Sequence, residues 1–89
     1  MTHKTFARFW KRYSDLPRDI QELADKNYEL LKSDPFHPSL HFKRLGGKKN
    51  LWSVRVGDSY RALAIEPEEN VLAWFWIGTH AEYDRIITQ

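Results

Sequence analysis

The residues from Leu51 to Ile65 read LWSVRVGDSYRALAI, and their periodicity decides the fold. As far as Val56 they alternate, with Trp52, Val54 and Val56 on one side and Ser53 and Arg55 on the other. That is the period of two of a strand with one face on a core. Gly57-Asp58 has the chemistry of a tight hairpin turn, and Ser59 to Ile65 returns as the next strand. The hairpin brings Arg55 and Arg61 onto adjacent strands.

Working outward, Pro67-Glu68-Glu69-Asn70 turns the chain into Val71–Ile77. This run is almost continuously apolar, as expected of a central strand covered on both faces. On the other side, His41 to Leu45 is expected to form a strand, closed by the loop Gly46-Gly47-Lys48-Lys49-Asn50. Earlier still the period becomes helical. Phe6, Phe9, Trp10 and Tyr13 make one stripe, with Thr5 placed to cap it, and Ile20, Leu23, Ala24, Asn27, Tyr28 and Leu31 make a second. Leu16-Pro17 separates the stripes, because proline belongs in a first helical turn and not in an interior. So short a connection favours two packed, roughly antiparallel helices. Two helices followed by a four-stranded antiparallel meander is an α+β fold. Residues 1–89 fit one domain at a length where a single core is already small.

Composition narrows the function classes. There is no cysteine, so neither a disulfide framework nor a thiolate metal site is expected. MTHKTFARFWKRYSDLP carries charges throughout and lacks the apolar segment of a secretory leader. No stretch approaches the roughly 20 apolar residues of a membrane span. A cytoplasmic protein without membrane partners is the expectation. Net charge is only +2, yet Lys43, Arg44, Lys48, Lys49, Arg55 and Arg61 gather within one segment beside a single acid, Asp58. A basic face of that kind suits a phosphate backbone.

Two constellations carry chemistry. Arg55 and Arg61 offer two planar forks of donors, a clamp for phosphate oxygens, with ion pairing to Asp58, Glu66 or Asp84 as the structural alternative. Thr79 and Glu82 have capping-box spacing, which starts a short C-terminal helix at His80. His80, Tyr83 and Asp84 then share one helical face. Imidazole serves general acid–base chemistry near neutral pH, while the structural alternative is a capping histidine over a packed tyrosine. His37 and His41 are four residues apart, but Pro38 between them argues against a helical zinc pair. Neither a metal nor any other cofactor is expected. Trp52, Trp74 and Trp76 read as core more readily than as base-stacking platforms. A phosphate clamp, a histidine and a basic track together equip a metal-independent ribonuclease, since the RNA 2′-hydroxyl supplies the nucleophile.

The order LHFKRL (residues 40–45), WSVRV (52–56), YRAL (60–63) and IGTHAEYD (77–84) resembles the RelE/ParE superfamily of bacterial toxins over nearly the whole chain. The resemblance implies a curved, mainly antiparallel sheet with the two helices on one face and a concave site on the other. RelE-type members cleave mRNA in the ribosomal A site, and ParE-type members poison DNA gyrase; a cognate antitoxin neutralises both. Basic residues on two strands of the ribonuclease branch are matched by Arg55 and Arg61, and its C-terminal His and Tyr by His80 and Tyr83. Two departures stand out. Only Met1 to Lys4 precede the first helical stripe, so the opening strand is expected to be short or missing, leaving an edge for an antitoxin or a second copy. Ser53 also stands where a lysine is expected.

The resulting expectation is the toxin of a type II toxin–antitoxin pair, a ribosome-dependent, metal-independent endoribonuclease. His80 would be general base or acid, Arg61 would hold the scissile phosphate and Arg55 would share the developing charge. Tyr83 would orient the nucleotide or assist proton transfer, and Lys43, Arg44, Lys48 and Lys49 would contact RNA. Partners would be a cognate antitoxin, mRNA and the ribosome, with self-association open. The alternatives are a gyrase poison acting by binding and a non-catalytic module on the same fold.

Overall fold

The computed structural model describes residues 1–47 and 50–88. Strand β1 is Thr2–Thr5, followed by helices α1 (Ala7–Ser14) and α2 (Arg18–Ser33). A 3-10 turn at Pro38–Leu40 leads to β2 (Lys43–Arg44), β3 (Leu51–Val56), β4 (Tyr60–Glu68), β5 (Val71–Thr79) and α3 (His80–Ile87). The strands lie in the order β1-β5-β4-β3-β2, with β1 parallel to β5 and the other pairs antiparallel. The α+β class is as expected from periodicity, but the sheet has five strands rather than four.

The additional strand is the N-terminal one. THKT has no apolar alternation, so nothing in its side chains announces a strand. Backbone pairing supplies it: the Thr2 amide donates to the Asn70 carbonyl at 2.7 Å and the Phe6 amide to that of Trp74 at 3.0 Å. His3 adds a side-chain tie, accepting the Trp74 indole N–H on Nδ1 at 3.0 Å and stacking on its ring. Burial pushes the His3 pKa down, which suits a neutral acceptor. The expected strand His41–Leu45 contracts to Lys43–Arg44 because His41 turns left-handed, at φ 44°, to close the 3-10 turn. The expected Thr5 cap is also replaced. Phe6 occupies the N-cap position without a side-chain cap, and Thr5 instead accepts the Trp10 indole N–H at 2.8 Å.

Alternation sorts the core into two layers. Val54 and Val56 of β3, Ala62 and Ala64 of β4, and Leu72, Trp74 and Ile77 of β5 face α1 and α2. There they meet Phe9, Tyr13, Ile20, Leu23 and Leu31 from the two helical stripes. On the opposite, open face Leu63, Trp76 and Tyr83 form a smaller cluster with Leu45, Leu51, Phe75 and Ile87. A bulge makes this possible. Leu63 pairs with Trp76 and Ala64 with Trp74, leaving Phe75 as the extra residue. The added residue shifts the phase of β5, so Trp74 and Ile77 reach one face and Trp76 the other. The β3–β4 turn needs glycine. Gly57 has φ 64°, and a Cβ there would stand 2.7 Å from the Leu23 side chain. Among the described residues, no helix is long and apolar enough to cross a membrane.

Candidate functional site

The register of the hairpin builds the site. Arg55 and Arg61 are direct cross-strand partners, and Arg61 is in turn opposite Gly78. Directly opposed residues of antiparallel strands share a face, so two guanidinium groups stand side by side on the open face. Arg55 is ion-paired with Asp58 and donates from Nε to the Gly57 carbonyl at 3.1 Å. Among the described residues, Arg61 donates only to carbonyls, those of Tyr60 at 2.8 Å and Gly57 at 3.4 Å. Among the described residues no carboxylate lies within ion-pair distance of it. Its pKa is lowered, first by burial and next by the charge of Arg55. Arg61 is thus a half-buried cation beside another cation, an arrangement relieved by an anion.

Register also divides the expected RNA contacts. Lys43 pairs with Ser53 and shares the arginine face, whereas Arg44 pairs with Trp52 and points the other way. There Arg44 lies 5.2 Å from the Trp52 ring and donates to Glu66 at 2.8 Å. The Trp52 indole N–H, the Asn70 amide and Arg44 together hold the Glu66 carboxyl below the usual range. Arg44 is therefore accounted for as a structural partner away from the clamp. Lys48 and Lys49 lie outside the described residues.

α3 delivers the histidine. The capping box is present: Thr79 Oγ1 accepts the Glu82 amide at 3.2 Å, and Glu82 accepts the Thr79 amide at 3.0 Å. The His80 amide donates to the Ser59 carbonyl at 2.7 Å, which anchors the start of α3 against the head of β4. His80 Nδ1 lies 3.0 Å from an Asp84 carboxylate oxygen, one helical turn on. That bond fixes the ring and leaves Nε2 available to a substrate. Tyr83 is 6% exposed, and its hydroxyl meets Ser53 Oγ at 3.3 Å. It is the floor beneath His80, with the ring centroids 5.9 Å apart. Ser53, at the expected lysine position, is itself buried as the tyrosine's partner.

Two residues that periodicity did not assign to the site also belong to its frame. Arg12, at the end of α1, donates to the Ile77 carbonyl at 2.9 Å and to Glu82 at 3.2 Å, with its guanidinium over the Trp76 ring. It ties α1 to the N-terminus of α3. His41 brings Nε2 to 3.4 Å from Arg55 Nη1. The strand-to-helix junction is close-packed: a Cβ on Gly78 would lie 2.6 Å from the Trp76 ring and 2.8 Å from Glu82.

The Glu82 carboxyl is held below its ordinary pKa, chiefly by the Thr79 amide and further by the Thr79 hydroxyl and Arg12. A carboxylate with a depressed folded pKa stabilises the fold above its unfolded pKa, about 4.3. That contribution is lost as pH falls through the folded value. Glu82→Gln is therefore expected to lower stability at pH 7, with the deficit shrinking as pH falls below about 4.3 and through the folded value. Urea unfolding of both proteins across that range measures it. A deficit independent of pH would show that the carboxylate charge is not what holds the cap.

The described residues contain no group of three His, Asp or Glu side chains placed to hold a metal ion. A family model described as the ParE-like toxin domain matches residues 18–85. No curated protein sequence matches the chain. Among solved structures, the chain is similar to the RelB–RelE antitoxin–toxin complex of Methanococcus jannaschii, at 19% identity and a TM-score of 0.71, covering 92% of this chain and 96% of that one. A doubly substituted Escherichia coli RelE in the free state has 18% identity and a TM-score of 0.68, covering 98% and 90%. The YoeB/ParE toxin of Agrobacterium tumefaciens has 18% identity and a TM-score of 0.67, covering 90% and 99%. At these identities the likeness is one of fold.

Proposed function

The chain belongs to the ParE-like toxin domain family, and from that premise we propose that it is the toxin of a type II toxin–antitoxin pair that cleaves mRNA on the ribosome. The observation that carries this reading is Arg61, a half-buried guanidinium held beside Arg55 without a carboxylate partner among the described residues. A group so placed is preorganised for an anion, and the charge on a phosphate in transfer is what it would meet. His80, held by Asp84 at the edge of the same face, supplies proton transfer. Arg61 holds the scissile phosphate and Arg55 shares its charge. Lys43 contacts the backbone from the neighbouring strand. Buried Tyr83 acts through position, keeping His80 over the clamp.

The 2′-hydroxyl adjacent to the phosphate is the nucleophile, so the reaction needs no metal from the protein. The ribosome presents the mRNA, as in the RelE-type members that the sequence resembles. A cognate antitoxin is the protein partner, in keeping with the antitoxin complex of the M. jannaschii relative.

The test uses purified protein and ribosomes carrying a defined mRNA. Wild-type protein is expected to cut within the A site, and His80→Ala to cut at least about 10²-fold more slowly, the usual contribution of a positioned acid or base. Equal cutting by both proteins would remove His80 from the mechanism. A gyrase-directed reading is favoured by one observation, the ParE-like description of the family model. It requires inhibited supercoiling that is indifferent to His80→Ala.

A further inference from the structure

Behind the clamp, on the face of the sheet that meets α1 and α2, lies a cavity of about 240 Å³. Its floor includes Val54, Val56, Ala62 and Ile77. These are the immediate chain neighbours of Arg55, Arg61 and Gly78, turned by strand alternation to the opposite face. Phe9 of α1 and Leu31 of α2 contribute to the walls. The sequence leaves this space open in two ways. Alanines, Ala24 on α2 and Ala62 on β4, stand where larger side chains would take up volume. Trp10, the largest side chain of α1, is held at the mouth: its indole N–H donates to Thr5 Oγ1 at 2.8 Å, and it is 50% exposed. A protein interior is normally filled, and an empty apolar void lowers stability in proportion to its volume.

The chemistry of the lining selects the occupant. Its hydrogen-bonding side chains are already committed. The Trp74 indole N–H donates to His3 Nδ1 at 3.0 Å, the Tyr13 hydroxyl to Asp25 at 2.7 Å and the Asn27 amide to the Arg55 carbonyl at 3.2 Å. Lys4 and Asp25, both exposed, bring one charge of each sign to the lining, and His3 is a neutral acceptor. The lining therefore has no net charge with which to match an ion. Aliphatic and aromatic surface is what remains toward the void. An apolar cavity of about 150 Å³ stays dry and takes up benzene, so this larger one has room for a second ring.

We propose that this cavity is a binding site for an uncharged aromatic molecule of one or two fused rings, placed directly behind the arginine clamp. Such a molecule needs no hydrogen bond from the wall, and it supplies the contacts that an empty cavity lacks. Asn27 relays its presence to the clamp, because it lines the cavity and holds the Arg55 carbonyl. The site is separated from the open face by the sheet itself. It therefore holds for an mRNA-cleaving and for a gyrase-directed toxin alike.

The test adds indole to the purified protein and follows it by NMR. Saturable shifts are expected for the methyl groups of Val54, Val56 and Leu31 and for the Arg55 backbone, with intermolecular NOEs from indole to the two valines. The dissociation constant should be about millimolar or tighter, within reach of a ligand of this size. At about ten times that concentration the melting temperature should rise by roughly 5 °C or more. Benzoate and benzylammonium, each one ring with a charge, should shift none of these resonances. Ala24→Leu fills part of the space. It is expected to melt no earlier than wild type and to bind indole at least about tenfold more weakly. A folded Ala24→Leu that binds indole as tightly as wild type overturns the site. Indole that gives no NOE to the valines overturns it too, and that reading is made on wild type, so it decides even where Ala24→Leu fails to fold. Binding of either charged ring as tightly as indole overturns the uncharged ligand class.

Discussion

Arg61→Ala is expected to reduce mRNA cleavage by about 10²- to 10³-fold, the scale of removing one preorganised donor from a developing oxyanion. The fold should survive the change. Arg61 is half-buried, destabilised by its burial and by the neighbouring Arg55 charge, and bonded, among the described residues, only to the carbonyls of Tyr60 and Gly57. Taking it away removes like-charge repulsion and leaves two carbonyls near enough to the surface for water to serve. Thermal unfolding should therefore be unchanged or slightly later, while cleavage falls. Arg61→Lys keeps the charge without the planar fork and is expected to fall between wild type and alanine. Should Arg61→Ala cut mRNA at the wild-type rate, the clamp is not where the phosphate sits. Should it unfold instead, Arg61 is a structural residue.

Leu63→Ala is expected to cost about 2–5 kcal/mol, as for other leucines fully enclosed in a core. Leu63 is 0% exposed and lies at the centre of the open-face cluster with Trp76 and Tyr83. Its loss opens a cavity directly beneath α3. Stability of a domain this size is about 5–15 kcal/mol, so the loss is a large share of the whole. The melting temperature should drop by roughly 10 °C or more. Cleavage measured well below that temperature should also decline, because Tyr83 and His80 ride on the helix that the cluster anchors. Urea unfolding gives the stability term. A loss under about 1 kcal/mol would mean that the site collapses around the gap and that α3 is held by its cap and Arg12 instead.

Much of this was legible in the chain because side chains and backbone told the same story. Trp52, Val54 and Val56 alternate and do form β3; Thr79 and Glu82 have capping-box spacing and do cap α3. The two tryptophans of Val71–Ile77 are both buried, one on each face of the sheet. What was not legible lies where pairing is made by the backbone alone. THKT becomes β1 through hydrogen bonds to β5 that no apolar pattern announces. The Phe75 bulge is likewise a matter of register, since a continuous apolar run looks the same with or without it.

The candidate site divides in the same way. Arg55 and Arg61 meet because a tight turn fixes which residues oppose each other. Arg44 leaves the group because one step along a strand reverses the face, and Glu66 and Trp52 wait for it on the other side. In the sequence, His41 stands out only as the start of an expected strand and as half of a metal pair with His37. Its approach to Arg55 depends on a left-handed residue after a 3-10 turn, a conformation its type permits but does not require.

The most direct measurement is the chemistry of the RNA ends left when purified protein meets ribosomes carrying mRNA, with gyrase supercoiling followed alongside. A 2′,3′-cyclic phosphate upstream of the cut, a 5′-hydroxyl downstream and unaffected supercoiling are the expected result. Intact mRNA together with inhibited supercoiling would contradict it and place the target on DNA.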